Sequence, residues 1–252
     1  MYVPRHFELP EDYARTLLEH PRAGNLVTVH DFGPEATFVP FYLDKERGRL
    51  VTHLVRNNPQ ARTPVTAPGL VILDEADAYV SPHWYATNKV KPNVPTWDYI
   101  TLHVSGAVNV DASPQAALQA ASALTHHMGD GDCLEPVGQD KLERMARAIV
   151  VVSVDTERVR GKAKMSQNRH PDDIRSLIAA LEEQGQDVLV DYLRTVSLPY
   201  AEERLATITA LRGARAAREV MSSAPAALNA ARAASPCSGL TGSVRSVSTR
   251  TA

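Results

Sequence analysis

The chain has little cysteine, few aromatic residues and no long apolar run. Only two of its 252 residues are cysteines, Cys133 and Cys237, and they lie far apart, so a disulfide framework is not expected. No apolar stretch approaches the ~20 residues that a membrane-spanning helix needs. The N-terminus also lacks the basic and then apolar pattern of a signal peptide. We therefore predict a chain without membrane spans in the reducing cytoplasm.

The common nucleotide and metal motifs are also missing. The sequence contains no Gly-x-Gly-x-x-Gly, no P-loop, no Cys-x-x-Cys and no His-Glu-x-x-His. His126 and His127 are adjacent at the end of a predicted helix, so their side chains point in different directions. We therefore predict no metal site.

Charge is distributed unevenly along the chain. Residues 212–252 contain six arginines and one acidic residue, which leaves 21 basic and 28 acidic residues in 1–211, a net charge of −7. An acidic body is a poor electrostatic match for a phosphate backbone, and no helix-turn-helix with basic recognition residues is evident. The sequence leaves open whether DNA is bound directly. Residues 212–252 are rich in Ala, Ser and Arg, and we predict them to be disordered.

Most of the remaining chain has the pattern of short strands. Strands are predicted from β-branched and alternating apolar residues at 24–29, 36–43, 49–55, 69–75, 99–110 and 149–160. Gly106 is predicted to mark a bend or bulge in the long fifth segment. Helices are predicted at 10–20, 113–128, 140–148, 171–185 and 187–195. Most strands are joined by turns too short for a crossover, which favours an antiparallel barrel with helices at its edges.

The segment 81–99 concentrates aromatic residues in a chain that has only 6% of them. It holds both tryptophans, Trp84 and Trp97, and is interrupted by Pro82, Pro92 and Pro95. Such a segment is neither one regular helix nor a central strand. We predict a loop, or strand ends, that either packs under another element or holds a ligand.

Two polar clusters follow predicted strands. Arg56, Asn57, Asn58 and Gln60 follow the strand 49–55, and they either form a phosphate cradle or an ordinary polar strand end with an Asn-Pro turn. The segment 161–169 contains Lys162, Lys164, Gln167 and Arg169, and it is either a binding element or a solvated loop that caps the next helix. The residues alone leave both alternatives open.

Four ordered motifs together resemble one family. They are "MYVPRHFE" at 1–8, "THLVRNNPQ" at 52–60, "AYVSPHWYATNKVKPNVPTWDYITLHVSG" at 78–106 and "AIVVVSVDTERVRGKAKMSQNR" at 148–169. This set resembles the PaiB-type negative transcriptional regulators of the FMN-binding split-barrel superfamily, over about residues 1–195. The resemblance implies a mainly β fold with flanking helices, a split β-barrel that forms a homodimer with FMN between its subunits. We thus predict a split-barrel domain at 1–195, a C-terminal helical extension at 196–211 and a disordered tail at 212–252.

The resemblance also implies cofactor-binding residues. The backbone of Thr37, Phe38 and Val39 would contact the flavin ring edge, although the family often has a histidine at position 38. The segment 52–60 would lie near the ribityl phosphate and contributes Thr52, His53, Arg56, Asn57, Asn58 and Gln60. The aromatic residues Trp84, Tyr85, Trp97 and Tyr99 would form a wall of the cleft. Lys164 and Gln167 of the second polar cluster would reach the flavin from either subunit.

The function implied by the resemblance is that of a flavin- or metabolite-responsive regulatory dimer. The alternative is a flavin-dependent oxidoreductase or a heme-binding or heme-degrading enzyme of the same superfamily. His53, His83 and His103 would then be the candidate proton donors or ligands. A small-molecule sensor or storage dimer without turnover is a third possibility. No residue is assigned a catalytic role from the sequence.

Overall fold

Two antiparallel sheets form the body of the protein. The computed structural model describes residues 1–233. The first sheet has five strands in the order β2-β1-β5-β6-β9, and the second has four in the order β3-β4-β8-β7. The strands are β1 (Ala23–His30), β2 (Gly33–Pro40), β3 (Tyr42–Asp44), β4 (Arg49–Val55), β5 (Gly69–Val80), β6 (Thr96–Gly106), β7 (Val108–Asp111), β8 (Ile149–Asp155) and β9 (Arg158–Lys164).

Three of the long predicted strands are each divided into two. The segments 36–43, 99–110 and 149–160 become β2 with β3, β6 with β7, and β8 with β9. In each pair one strand belongs to the first sheet and the other to the second. The prediction of a mainly β split barrel with flanking helices is confirmed. The division explains why the described residues form nine strands although six strand segments are predicted.

The two sheets enclose one apolar core. Alternate residues of the strands point inward, and those that are fully buried include Leu26, Leu50, Val71, Ile100, Leu102 and Val154. Helices add further apolar side chains to the same core, among them Ile174, Leu177, Leu181, Leu189 and Leu193. This shared core holds the two sheets together.

Helices pack at the edges and on the second sheet. They are α1 (Glu11–Glu19), α2 (Pro59–Arg62), α3 (Pro114–His127), α4 (Gln139–Ala146), α5 (Pro171–Glu182), α6 (Asp187–Tyr192) and α7 (Leu198–Ala233). One π-helical turn, Leu193–Ser197, joins α6 to α7. Between β7 and β8, α3 and α4 form a helical insertion, in which α3 contacts β4 and β8.

The C-terminal part differs from the predicted disorder in the residues that are described. Residues 1–202 form one unit that contains both sheets, and a second unit begins at Glu203. Helix α7 continues to Ala233, beyond the predicted limit of the helical extension at 211. The stretch is rich in Ala, Arg and Leu, which have high intrinsic helix propensity. The rest of the predicted tail, 234–252, lies outside the described residues.

Gly106 stands where the chain passes from the first sheet to the second. A Cβ atom at this position would lie 2.1 Å from the carbonyl oxygen of Asp155. We expect Gly106→Ala to lower the free energy of unfolding by more than about 2 kcal/mol, because the backbone must move to admit a methyl group. Urea unfolding followed by circular dichroism measures this change. Gly213→Ala is the control, since nothing lies within 4 Å of its added Cβ; equal stability of both variants would contradict the prediction.

Candidate functional site

The two segments predicted to meet the flavin, 37–39 and 56–60, lie side by side. Thr37 Oγ1 donates a hydrogen bond to Gln60 Oε1 and accepts one of 3.2 Å from Asn58 Nδ2. Asn58 Oδ1 also caps the short helix α2 by accepting the backbone N–H of Gln60 at 2.9 Å. The structure therefore joins β2 to the β4–α2 junction through side chains that the sequence had singled out.

Gln60 extends this contact into the barrel. Its Nε2 donates to the Thr28 hydroxyl at 2.8 Å and to the Leu26 carbonyl oxygen at 3.2 Å. Thr28 is in turn hydrogen-bonded to His30 Nε2, and His30 Nδ1 contacts the Pro64 carbonyl oxygen at 3.0 Å. Gln60, Thr28 and His30 are all buried. The amide of Gln60 is thus part of the internal structure of the barrel.

Strand β2 offers open backbone groups beside an exposed ring. Among the described strands it pairs with β1 alone and is an edge of the first sheet, so alternate N–H and C=O groups point away from the ladder. One of these groups, the Glu35 carbonyl oxygen, accepts a hydrogen bond of 3.2 Å from Gln60 Nε2. Phe38 is 69% exposed, whereas Thr37 and Val39 are half-buried. The backbone of Thr37–Val39 therefore lies at an open sheet edge, and its contact with a flavin stays a prediction.

Arg56 is bound to three backbone carbonyl groups. Its Nε donates to Arg147 O at 2.9 Å, and its Nη2 donates to Ala112 O at 2.9 Å and to Ile149 O at 3.3 Å. Ala112 precedes α3, and Arg147 and Ile149 follow α4. The guanidinium group therefore ties both ends of the helical insertion to the end of β4, and a phosphate would compete with these carbonyls for it.

Thr52 and His53 occupy opposite faces of β4. Thr52 is buried in the barrel interior, where its hydroxyl has no hydrogen-bond partner in the part of the chain that the structure describes. His53 points to the other face and lines a cavity beneath the helical insertion. Burial lowers the pKa of His53, which keeps its imidazole neutral at pH 7. Asn57 lies between Arg56 and Asn58 in the sequence, and its side chain is exposed.

The first half of the aromatic segment packs against helix α5 of the same chain. Thr87 donates to the buried carboxylate of Asp173 through its backbone N–H at 2.8 Å and its hydroxyl at 2.9 Å. The Arg169 guanidinium lies 4.4 Å from the ring centroid of Tyr85. Trp84 packs against the core, and Tyr85 is only 2% exposed. The structure therefore encloses Tyr85 in the chain's own core instead of leaving its ring at an open cleft.

The second half of the segment lies on the outer face of the first sheet. Trp97 is 51% exposed, donates from Nε1 to Asp77 Oδ1 at 2.7 Å, and meets Tyr79 edge to face at 6.0 Å. Lys162 Nζ lies 5.3 Å from the ring centroid of Tyr99. Trp97 and Tyr99 thus form an aromatic surface on the sheet, separate from Trp84 and Tyr85.

Lys164 and Gln167 belong to a turn at the end of β9. Gln167 bridges this turn, accepting from Met165 N and donating to Ala163 O, both at 2.8 Å. Lys164 Nζ donates to Thr96 Oγ1 and Trp97 O. Both side chains therefore fix the turn to β6 and to the turn's own backbone.

The same turn encloses a buried carboxylate. Asp98 is 1% exposed and accepts a 2.7 Å hydrogen bond from the Ser166 hydroxyl, while its Oδ1 lies 3.6 Å from Lys164 Nζ. Burial raises the pKa of Asp98 to about 6, although the Ser166 hydrogen bond and the Lys164 charge oppose the shift. Ser166 adopts a left-handed backbone conformation with a φ of 58°. This group titrates close to physiological pH.

Sequence reasoning placed Ser166 in the polar segment 161–169 but did not identify Asp98, although one signal for it was present. In the alternating strand, Trp97 and Tyr99 share the outer face, which places Asp98 on the inner face with Ile100 and Leu102. An aspartate in register with two core residues is a buried charge that needs partners.

The adjacent histidines at the end of α3 hydrogen-bond to different backbone groups. His126 Nδ1 contacts Ser122 O at 2.8 Å, and His127 Nε2 contacts Pro21 O at 2.9 Å. Within residues 1–233 no group of three or more His, Cys, Asp or Glu side chains is arranged to hold a metal ion. None of the helices in this same range is both long and apolar enough to cross a membrane.

Comparison with known proteins defines the class to which this fold belongs. The family model described as "Putative FMN-binding domain" matches residues 1–158, and the chain belongs to this family of split-barrel proteins. It is 28% identical over 191 residues to the protease synthase and sporulation protein PAI 2 of Bacillus subtilis, covering 72% of this chain and 89% of that protein. This likeness confirms the resemblance to PaiB-type proteins.

More distant relatives cover less of the chain. An uncharacterized protein of Saccharomyces cerevisiae is 29% identical over 133 residues, which is 44% of this chain and 79% of that protein. Among solved structures, the flavocytochrome Anf3 from Azotobacter vinelandii aligns with a TM-score of 0.49 and 12% identity, over 65% of this chain and 72% of its own. The FAD and heme binding protein from Mycobacterium smegmatis aligns with a TM-score of 0.46 and 18% identity, over 61% and 71%.

The carbonyl contacts of Arg56 lead to a stability prediction. We expect Arg56→Lys to lower the free energy of unfolding by about 1–3 kcal/mol, because one ammonium group cannot reach carbonyls on both sides of the insertion. Urea unfolding of the purified protein measures the loss. The matched control is Arg62→Lys at the exposed end of α2, expected to stay within about 0.5 kcal/mol of the unmodified protein. Equal stability of the two variants would show that the carbonyl contacts contribute little.

The buried carboxylate of Asp98 leads to a prediction about pH. Its folded-state pKa of about 6 lies above the ordinary 3.8, so its contribution to stability is full below pH 3.8 and is lost as the pH rises through about 6. We expect Asp98→Asn to gain about 2–3 kcal/mol on the unmodified protein between pH 4 and pH 7, since the amide does not ionise. Urea unfolding at one-unit pH steps measures this difference. Ser166→Ala removes a hydrogen bond that lowers the pKa of Asp98, so the loss of stability with rising pH is expected to extend to higher pH in this variant. Parallel curves of unfolding free energy against pH for the unmodified protein and Asp98→Asn would refute the raised pKa of Asp98.

Proposed function

We propose that the protein is an FMN-binding homodimer that acts as a flavin- or metabolite-responsive regulator. The exposed ring of Phe38 beside the open edge of β2, within the domain that matches the FMN-binding family, carries this proposal. A large apolar side chain that is 69% exposed next to unpaired backbone groups favours a ligand or a second subunit at this place. The regulatory part rests on the likeness to PaiB-type proteins.

The residues fit FMN unevenly. The backbone groups of Thr37–Val39 and the Phe38 ring suit the edge and face of an isoalloxazine, and Asn57 is exposed nearby. On the outer sheet face, Trp97 and Tyr99 supply a second aromatic surface. Bound there, FMN would supply one- or two-electron redox chemistry, and these residues would bind and orient its ring.

The predicted phosphate donors fit less well within one chain. Arg56, Asn58, Gln60 and Lys164 all make hydrogen bonds to the chain's own groups. Cationic side chains along β9, namely Arg158, Arg160 and Lys162, alternate toward the same sheet face as Tyr99. In the proposed dimer, the phosphate would lie where such cations of a second subunit reach the first.

The test is a flavin titration combined with sedimentation. We expect the purified protein to sediment as a dimer and to quench FMN fluorescence with saturation, more tightly than it quenches riboflavin, which lacks the phosphate. Phe38→Asp is expected to weaken both dimer formation and FMN binding at least tenfold, because it puts a charge into the apolar contact. Absorbance of the freshly purified protein near the flavin bands, or a Soret band, identifies the chromophore that is carried.

The matched control is Val90→Asp. Val90 is another highly exposed apolar residue, but it lies in the segment that packs on α5. We expect this variant to bind FMN and to sediment like the unmodified protein. A monomer at micromolar concentration, or FMN binding unaffected by Phe38→Asp, would refute the proposed site.

A further inference from the structure

A cavity of about 910 Å³ lies between strand β4 and the helical insertion. Its walls come from α3, α4 and the 3₁₀ segment Gly131–Val137, and His53 of β4 contributes its ring to the lining. Apolar side chains dominate, chiefly Leu118, Leu134, Leu142, Met145 and Ile149. Small-molecule sites in proteins usually measure about 300–1,000 Å³ and have this mostly apolar character.

The polar groups of the cavity restrict the kind of ligand. None of the residues that line it, all within the described part of the chain, is a lysine or an arginine, and Glu135 is the one carboxylate. A phosphorylated or otherwise anionic molecule would enter without a counter-charge and against this carboxylate. A neutral or cationic molecule meets no such penalty. The lining therefore does not suit FMN, whose phosphate needs cations.

The shape of the walls is also suited to a small molecule. Alanines line one side of the cavity, Ala121 and Ala123 on α3 and Ala146 on α4, so the two helices leave space instead of interdigitating. Met145 of α4 is 57% exposed, and its flexible thioether can adapt to different ligand shapes. His53 is the polar residue that strand β4 contributes, beside polar residues of the insertion such as His126 and Gln139. Its Nδ1 is enclosed and has no hydrogen-bond partner among the described residues.

We propose that this cavity binds a neutral or cationic, largely apolar small molecule, with His53 as its polar anchor. The site is separate from the proposed flavin site: of the fifteen residues that the resemblance implied for the cofactor, only His53 lines the cavity. The proposal does not rest on FMN binding, so either can fail without the other.

The test uses two dyes of different charge. We expect the neutral dye Nile red to bind the full-length protein with saturation at one site per chain, and the anionic dye 8-anilinonaphthalene-1-sulfonate to bind at least tenfold more weakly. Ala121→Phe fills the cavity and is expected to weaken Nile red binding at least tenfold. Ala179→Phe, an equally large change at an exposed position of α5, is expected to leave it unchanged.

A charge reversal keeps the proposal testable if the filled variant does not fold. Glu135 is exposed at the cavity rim, so Glu135→Lys is compatible with the fold and is expected to strengthen binding of the anionic dye relative to Nile red at least threefold. Equal Nile red affinity in the folded Ala121→Phe variant, or an unchanged ratio between the dyes in Glu135→Lys, would overturn the proposal. Dye affinity that falls as the protein concentration rises would also overturn it, because a second copy of the chain would then compete with the dye for the cavity.

Discussion

The structure depends on three strand pairs that carry the chain from one sheet to the other. β2 and β3, β6 and β7, and β8 and β9 each place one strand in either sheet, so the alternate apolar residues of both sheets face a single interior. Burial of that shared interior is the dominant favourable term in folding such a barrel. The crossing at Gly106 leaves no room for a side chain, and the backbone there determines how closely the two sheets can pack.

The alternation of apolar residues predicts most of this fold, but it does not predict the crossings. The pattern at 99–110 is continuous, because a strand that changes sheets keeps its inward face inward. Only Gly106 marked the place, and there was no comparable glycine in 36–43. For the same reason the sequence indicated the strands correctly and undercounted them.

The candidate site was less accessible to sequence reasoning, because residue type does not reveal which partner a polar group will have. Arg56 has the chemistry of a phosphate ligand, yet it satisfies carbonyl groups at both ends of the helical insertion. Those carbonyls are separated from it by 56 to 93 positions in the chain, and no local pattern links them. The meeting of Thr37 with Gln60 likewise depends on the packing of β2 against the junction after β4. The family resemblance assigned these residues to one predicted site. In the structure they also form hydrogen bonds to groups of the same chain.

Internal hydrogen bonding also limits where ligands can bind. Moving a polar side chain away from a buried backbone carbonyl costs free energy, because the carbonyl then needs another hydrogen-bond donor. In the described part of the chain, the surfaces that remain open include the edge of β2 with Phe38, the aromatic outer face with Trp97, and the cavity beneath the helical insertion. Their charges differ: the outer face lies beside the basic strand β9, whereas the cavity lining has one carboxylate and neither lysine nor arginine. Under the two proposals, a phosphorylated ligand would bind at the sheet and an uncharged or cationic ligand at the helical insertion, which Arg56 ties to the end of β4 through the backbone carbonyls that it holds.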